Sequence, residues 1–132
     1  MQAIEEAATL EAKEPRTRVS RYDDTEAEIF GDEAPGVKIR RLIDEVNDGA
    51  PIYNLRMLEI APEGNTPDHA HPNEHENFVV SGVGEVMIEG KWYSLGEGDV
   101  VFVPPGVRHQ YRNTGTETFR FLCGVPVSRL IE

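Results

Sequence analysis

The sequence predicts an all-β domain, built as an antiparallel sandwich or barrel. Three observations predict this class. From residue 37 onward, short apolar or alternating runs follow one another at intervals typical of strands. Turn signals separate these runs, and the chain holds 12 glycines and 9 prolines to supply them. After residue 14, no stretch has the apolar periodicity of a long helix.

The predicted strands follow in order along residues 37–43, 52–60, 78–80, 83–89, 91–95, 100–103 and 118–127. The first strand alternates in polarity, and Asn47-Asp48-Gly49 marks a turn after it. Residues 83–89 and 91–95 are expected to form a hairpin around Glu89-Gly90. Strand 100–103 is apolar throughout and ends at Pro104-Pro105-Gly106. We therefore place a barrel domain at residues 37–132.

Residues 1–36 are expected to form an N-terminal arm or extension, because they are rich in charge and lack long apolar patterns. Met1–Glu14 is compatible with a short helix that carries Ile4 and Ala8 on one side. It is equally compatible with a mobile tail, since isolated helices of this length are marginally stable. Pro15 ends the segment in either case.

Composition excludes several classes of function. A net charge of −11 opposes binding to the phosphates of nucleic acids and to anionic membrane surfaces. No apolar run approaches the ~20 residues that span a bilayer, and no secretory signal is visible at the N-terminus. The single cysteine, Cys123, excludes an internal disulfide and is typical of a reducing compartment. We therefore expect a cytoplasmic protein.

All four histidines of the chain lie where they could meet: His69, His71, His75 and His109. On a strand, His69 and His71 share one face, with Cα atoms roughly 6.6 Å apart. On a straight strand His75 would lie about 13 Å beyond His71, so the chain must reverse at Pro72. His109 follows a separate Pro-Gly turn and reaches the same point only if the sheet folds over on itself, as a barrel does.

The motifs that contain these histidines resemble those of the cupin superfamily. The family's first motif is roughly Gly, five residues, His-x-His, three or four residues, Glu, six residues and Gly. Here it reads Gly64, four residues, His69-Ala70-His71, three residues, His75, six residues and Gly82. The first spacer is thus one residue short, and His75 replaces the glutamate. The second motif, which comprises Gly98, Pro104-Pro105-Gly106, His109 and Asn113, matches at every position.

The resemblance covers residues 37–127 and extends to a subgroup. The run from His71 to Glu76 is similar to that of small single-domain cupins, often described as quercetin-dioxygenase-like, which use four histidines and no glutamate. The resemblance implies a double-stranded β-helix (jelly-roll) barrel, a homodimer and one divalent metal ion per chain. The implied ligands are the four histidines, with Glu76 as the alternative to His75.

Neutral imidazoles suit Mn, Fe, Ni, Cu and Zn better than Mg or Ca. We expect Mn or Fe first, and Ni, Cu or Zn as alternatives. Four neutral ligands leave the charge of the ion uncompensated, which makes it a strong Lewis acid that attracts anionic or enolate ligands. An octahedral ion would keep two positions open for water, oxygen or a bidentate substrate. Glu74 and Glu76 flank His75 and are candidates to accept hydrogen bonds from the ligand N–H groups.

Four other residues are candidates for contact with a small-molecule substrate or for proton transfer. Arg56 shares a strand face with Leu58, although a surface ion pair is its expected role. Tyr111 shares strand parity with His109, which favours the pocket. Cys123 is expected to be a small buried side chain, and the alternative is a pocket thiol open to oxidation. Tyr111 and Glu59 are candidates for a general base.

The sequence is compatible with three functions. The leading hypothesis is a metal-dependent oxygenase, in which oxygen attacks a substrate bound as an enolate or phenolate. The second is a redox-neutral isomerase, lyase or decarboxylase, in which the ion only polarises a carbonyl. The third is a non-enzymatic module that binds a small molecule or stores metal. The first predicts oxygen consumption, the second activity with zinc, and the third ligand retention without turnover.

Overall fold

The computed structural model describes residues 13–131, and within them nine strands form two antiparallel sheets. The strands are β1 (Glu28–Ile29), β2 (Val37–Ile43), β3 (Tyr53–Ile60), β4 (His75–Ser81), β5 (Gly84–Ile88), β6 (Lys91–Leu95), β7 (Val100–Val103), β8 (His109–Asn113) and β9 (Phe119–Pro126). The all-β class predicted from the sequence is confirmed. The predicted helix or tail at Met1–Glu14 lies almost wholly outside the described residues.

The last strand of the chain lies in the middle of the larger sheet. Six strands are ordered β1-β2-β3-β9-β4-β7, and three are ordered β6-β5-β8. Strand β9 pairs with β3 along its whole length, so that Arg56 faces Cys123 and Ile60 faces Phe119. Isolated bridges then join Asn65 and His69 to β8. The segment between β3 and β4 therefore crosses to the smaller sheet, which brings distant parts of the chain to one end of the fold.

Alternation along the strands decides which side chains form the core. In β2, Val37 and Ile39 are buried while Lys38 between them is exposed. The fully buried rings of Phe119 and Phe121 lie on the inner face of β9, 5.2 Å apart between centroids. Apolar side chains of both sheets belong to this one core, and burial of each large side chain contributes roughly 1.5–3 kcal/mol.

Helical structure is limited to short turns in the described residues. The four-residue helix α1 (Glu45–Asp48) begins where the Asp44 side chain accepts a hydrogen bond from the Asn47 N–H. It ends at Gly49, whose φ of 69° is the left-handed conformation that glycine adopts freely. Two 3₁₀ turns span Tyr22–Asp24 and Ser128–Leu130. Over residues 13–131, no helix has the length and apolar character needed to cross a bilayer.

The strand β8 is absent from the sequence-based prediction because its residues, His-Gln-Tyr-Arg-Asn, do not look like a strand. Its burial alternates all the same, with His109, Tyr111 and Asn113 buried. Strand β4 is likewise longer than the predicted 78–80 and begins at His75. Both strands carry polar side chains inward, because one end of the interior is a polar site.

Part of the N-terminal extension is built into the fold. Glu28–Ile29 pairs with β2, and Ala34 belongs to the buried core. Arg18 forms an ion pair with Asp48 at 2.8 Å, and Arg40 donates to the carbonyl of Thr25 at 2.6 Å. Residues 18–34 therefore pack on the same chain. The division of the chain at residue 37 stays a prediction.

Candidate metal centre

Four imidazole rings from three separate segments meet at one end of the interior. The ring centroids of His69 and His71 lie 4.7 Å apart, and those of His71 and His75 also lie 4.7 Å apart. The His109 ring lies 5.0 Å from His69, 4.9 Å from His71 and 5.2 Å from His75. One ring nitrogen from each of His69, His71 and His109 lies within 4.8 Å of the other two. His75 adjoins this group through a 2.9 Å approach between its Nε2 and that of His71.

Backbone pairing holds the four residues in these places. His69 and His109 exchange two backbone hydrogen bonds, of 3.1 and 2.9 Å. The carbonyl of His71 accepts from Gly106 N at 2.8 Å, which ties the first motif to the Pro-Gly turn before His109. His75 is the first residue of β4, after the chain reverses at Pro72. The reversal and the approach of His109, both required by the sequence argument, are present in the structure.

In His71, His75 and His109, the Nδ1 atom points away from the cluster and has a hydrogen-bond partner of its own. We call it the outer nitrogen, and Nε2 the inner one. His71 Nδ1 lies 3.0 Å from the carbonyl oxygen of Asn73, and His109 Nδ1 lies 2.8 Å from that of Val107. A carbonyl oxygen can only accept, so each of these Nδ1 atoms carries the proton and donates it. The Nε2 atom of each ring then bears a lone pair directed at the cluster. This is the tautomer of a histidine that binds a metal ion through Nε2.

His75 has a thiol as its outer partner instead of a carbonyl. Its Nδ1 lies 2.7 Å from the buried Sγ of Cys123. Without metal, the thiol can donate to Nδ1 while His75 Nε2–H donates to His71. With a metal ion on Nε2, the proton of the neutral ring must lie on Nδ1, where the sulfur accepts it. The residues present therefore fit a metal ion, and Cys123 contributes by orienting His75.

Burial favours the neutral form of His69, His75 and His109. Loss of hydration lowers the pKa of His69 and of His109 below the usual 6.5. It also lowers the pKa of His75 to about 2, with the charge of Arg56 as the next cause. Because metal ions bind the neutral ring, these histidines are ready to ligate at neutral pH.

The two glutamates beside His75 do not take the roles considered from the sequence. Glu76 is exposed on the face of β4 opposite to His75 and Asn77. Desolvation and a hydrogen bond to Glu74 raise the pKa of Glu76 to about 7. The Nδ1 atoms of His71 and His109 instead lie against carbonyl oxygens, and that of His75 lies against the Cys123 sulfur. Alternation along β4 thus turns His75 toward the cluster and Glu76 away from it.

A cavity of about 170 Å³ opens beside the histidines. Its walls combine the histidine cluster with the apolar side chains of Phe30, Ile39, Leu58 and Phe121, and with Arg56, Tyr111 and Cys123. No aspartate or glutamate lines it within residues 13–131. A cavity of roughly 150 Å³ holds a molecule the size of benzene. The space next to the cluster therefore suits a substrate, or part of one, the size of a single ring.

The general-base candidates are poorly placed for that role. Glu59 lies on the opposite face of β3 from the cavity, where it pairs with Arg40 at 3.3 Å and Arg120 at 2.9 Å. Tyr111 lines the cavity, but its hydroxyl donates to Asn77 Oδ1. Burial raises the pKa of Tyr111 far above its usual range, so the hydroxyl stays protonated at neutral pH. Tyr111 therefore forms part of the cavity wall and donates a hydrogen bond to Asn77.

Two residues of the site differ from their expected roles or were missed. Arg56 was expected in a surface ion pair, but it lines the cavity and contacts Cys123 Sγ at 3.3 Å. Asn77 is buried; besides its bond with Tyr111, it donates to the carbonyl of Leu122 at 3.3 Å. The signal for Asn77 was its parity with His75, two residues away on the same strand face. Cys123 is buried, as expected, and also lines the cavity.

Replacing Cys123 with alanine is expected to weaken zinc binding by about 10–100-fold, because His75 loses the partner that orients it. Cys123→Ser keeps an acceptor near His75 Nδ1 and should retain most of the affinity. Competition with a chelator of known zinc affinity measures both variants against the wild type. Equal losses in the serine and alanine variants would show that the sulfur matters only for packing.

Comparison with known proteins places this geometry in a family. The model of the family described as Cupin domain matches residues 56–125, more than half of the chain. The structure of the polyketide cyclase RemF from Streptomyces resistomycificus is 32% identical, with a TM-score of 0.78 over 84% of this chain and 80% of that chain.

Two curated proteins are similar at lower identity. Protein SchB of Streptomyces halstedii is 27% identical over 103 residues, which are 77% of this chain and 72% of that protein. The 5-aminosalicylate 1,2-dioxygenase of a Comamonas species is 29% identical over 82 residues, 61% of this chain but only 22% of that protein. Since the family model spans β4 to β8 and all four histidines, and since RemF matches over most of both chains, this chain belongs to the Cupin domain family.

Proposed function

We propose that the protein is a metal-dependent enzyme that acts on a small organic substrate with an enolisable carbonyl. One divalent transition metal would be held by His69, His71, His75 and His109, with Mn or Fe favoured and Ni, Cu or Zn as alternatives. The observation that carries the proposal is the convergence of the four rings, with Nδ1 of His71 and of His109 each bound to a carbonyl oxygen and Nδ1 of His75 in contact with Cys123 Sγ. Such an arrangement directs the Nε2 lone pairs of His71 and His109 into the cluster, and a cation that replaces the His75 Nε2–H proton would be held by them.

When bound, the ion would supply Lewis acidity toward a carbonyl or enolate oxygen. The chain itself binds and orients the substrate. Ile39, Leu58 and Phe121 form apolar walls that exclude water from one side. Tyr111 is held by Asn77 and stacks on Phe121, with 4.6 Å between centroids and 25° between planes. The wall therefore has a fixed shape and suits a flat group such as an enol.

A redox-neutral reaction is the better supported class. RemF, which is similar over most of both chains, is described as a polyketide cyclase. Closing a ring from a ketone needs an activated carbonyl and an enolate, and neither step consumes an oxidant. The cavity admits a single ring, so we propose that one ring-sized, enolisable segment of the substrate reacts there.

The oxygenase that leads the sequence-based hypotheses is the second candidate. Its support is the similarity to the 5-aminosalicylate 1,2-dioxygenase, which covers 61% of this chain. Four neutral ligands are compatible with a redox-active Mn or Fe ion that also leaves room for oxygen. The quercetin-dioxygenase-like subgroup stays a prediction on the same footing.

A pair of assays separates the two reactions. Zinc-loaded protein without oxygen is expected to speed the exchange of pyruvate methyl hydrogens for deuterium by about a hundredfold over free zinc, as followed by NMR. Oxygen uptake with 5-aminosalicylate, measured on Fe- or Mn-loaded protein, tests the oxygenase. The control in both assays is the His109→Ala variant, which removes a proposed ligand.

Each outcome decides between the hypotheses. Exchange with zinc and no oxygen uptake supports the redox-neutral enzyme. Oxygen uptake only with Fe or Mn moves the assignment to the oxygenase. Stable metal retention with neither activity would contradict both and support a non-enzymatic metal-binding module.

The partner and location follow as further proposals. We propose a homodimer, which sedimentation equilibrium would show as twice the mass of the chain, and a cytoplasmic location. All four rings of the histidine cluster come from one chain, so a second copy need not supply a histidine to it.

A further inference from the structure

Arg56 lines the cavity and has no carboxylate partner among residues 13–131. Seven arginines form ion pairs with carboxylates within residues 13–131, and Arg56 is not among them. The two other arginines without such a pair, Arg16 and Arg129, are exposed, whereas Arg56 is half-buried. In a chain with a net charge of −11, a half-buried arginine without a carboxylate partner is unexpected.

The contacts of Arg56 satisfy its charge incompletely. Its Nη2 lies 3.3 Å from Cys123 Sγ, a weak acceptor. Its Nε is shielded from solvent and has no hydrogen-bond partner among the described residues. A partly buried charge that lacks a partner costs stability, and an anionic ligand would reduce that cost.

Position links Arg56 to the histidine cluster. Arg56 and Cys123 are paired residues on β3 and β9, and both side chains line the cavity. Cys123 Sγ contacts Arg56 on one side and His75 Nδ1 on the other, at 3.3 and 2.7 Å. The guanidinium thus lies one side chain away from the proposed metal ligands, in a cavity whose described walls hold no carboxylate.

We propose that Arg56 binds an oxyanion of the substrate, a carboxylate or an enolate, and holds it between the guanidinium and the histidines. The substrate class is then a small, flat organic anion, because a planar guanidinium matches a planar oxyanion in shape and charge. The inference rests on the proposed function only for the position of the metal. Its anion-binding part holds for the metal-free protein as well.

The test uses benzoate and its neutral isostere benzamide as probes, titrated into metal-free protein at pH 8 by calorimetry. Wild-type protein is expected to bind benzoate about tenfold more tightly than benzamide. Arg56→Gln should abolish that preference. Arg41→Gln is the matched control, because Arg41 is exposed and paired with Glu28; it should leave the preference unchanged. A preference that is absent in the wild type, or that persists in Arg56→Gln, overturns the proposal.

A second variant covers the case in which Arg56→Gln does not fold. Arg56→Lys keeps the charge but loses the planar fork, so it should weaken benzoate binding by about fivefold to tenfold. Unchanged benzoate affinity in Arg56→Lys would overturn the proposal.

Carboxylate and enolate are distinguished by repeating the titrations with acetylacetone, whose enolate has no carboxylate. Tighter binding of benzoate than of acetylacetone to the wild type, lost in Arg56→Gln, assigns the site to carboxylates. The reverse order assigns it to enolates. Zinc content is measured in parallel: wild-type protein that binds no zinc contradicts the proposed function, whereas the benzoate preference alone decides the role of Arg56.

Discussion

Replacing His75 with alanine is expected to reduce bound zinc from one ion per chain to nearly none after dialysis. Four-ligand zinc sites bind with roughly 10–16 kcal/mol, so each ligand contributes about 3 kcal/mol, or more than a hundredfold in affinity. His75 Nε2 lies 2.9 Å from His71 Nε2, so removing the His75 ring opens one side of the cluster. Elemental analysis and chelator competition measure the loss.

Glu76→Gln is the matched control for this variant, because Glu76 lies next in the sequence but is exposed on the other face of β4. It should keep its zinc. If metal binding survives His75→Ala and is lost in the Glu76 variant, then Glu76 is the ligand, and the orientation of β4 differs in the metal-bound protein. Urea unfolding of both metal-free variants separates loss of metal affinity from loss of the fold.

Metal-free protein is expected to lose stability as the pH falls below 6.5. The pKa of His75 is about 2 in the folded protein against 6.5 when exposed, chiefly because burial removes hydration. Below pH 6.5 the unfolded chain therefore binds a proton that the folded chain does not, and unfolding becomes more favourable. The contribution is about 1.4 kcal/mol per pH unit, or about 2 kcal/mol at pH 5. His69 and His109 act in the same direction, since their pKa values are also lowered.

Glu76 titrates in the opposite sense, so the measurement is made in the Glu76→Gln background. Its pKa is raised to about 7 in the folded protein, which favours folding as the pH falls from 7 toward 4.5. Urea unfolding at pH 7.5 and pH 5.0, with chelator present, gives the two free energies of unfolding. Adding His75→Gln to this background should reduce the difference between them. A free energy that is the same at both pH values would show that the folded protein accepts the protons as readily as the unfolded chain does.

The histidine cluster shows how much of the site the spacing of residues alone can predict. Two histidines separated by one residue, a proline that reverses the chain and a Pro-Gly turn before His109 were enough to predict that four rings meet. Those signals are local, because turn chemistry and the two-residue period of a strand depend on neighbouring residues. Strand β8 was not predicted. Its buried positions include the polar residues His109 and Asn113, so it lacks the apolar alternation on which strand prediction depends.

Roles that depend on partners across strands were not accessible from the sequence. Glu59, Arg56 and Tyr111 were all candidates for the pocket, yet Glu59 lies on the other face of the sheet, between two arginines. Arg56 was expected in an ion pair, but its paired residue across the sheet is Cys123, which carries no carboxylate. The register of β3 against β9 decides which residues face each other. Arg56 and Cys123, which this register pairs, are 67 residues apart in sequence.

The sequence by itself determined the all-β class and the convergence of the four histidines, since both follow from patterns within short stretches of chain. Only the tertiary structure decided that His75 turns inward while Glu76 turns outward, that Cys123 contacts His75, and that Arg56 lines the cavity with no carboxylate partner in the part of the chain that the structure describes. The physical reason is that a strand presents its residues alternately to two faces, and only packing against other strands decides which face becomes the interior.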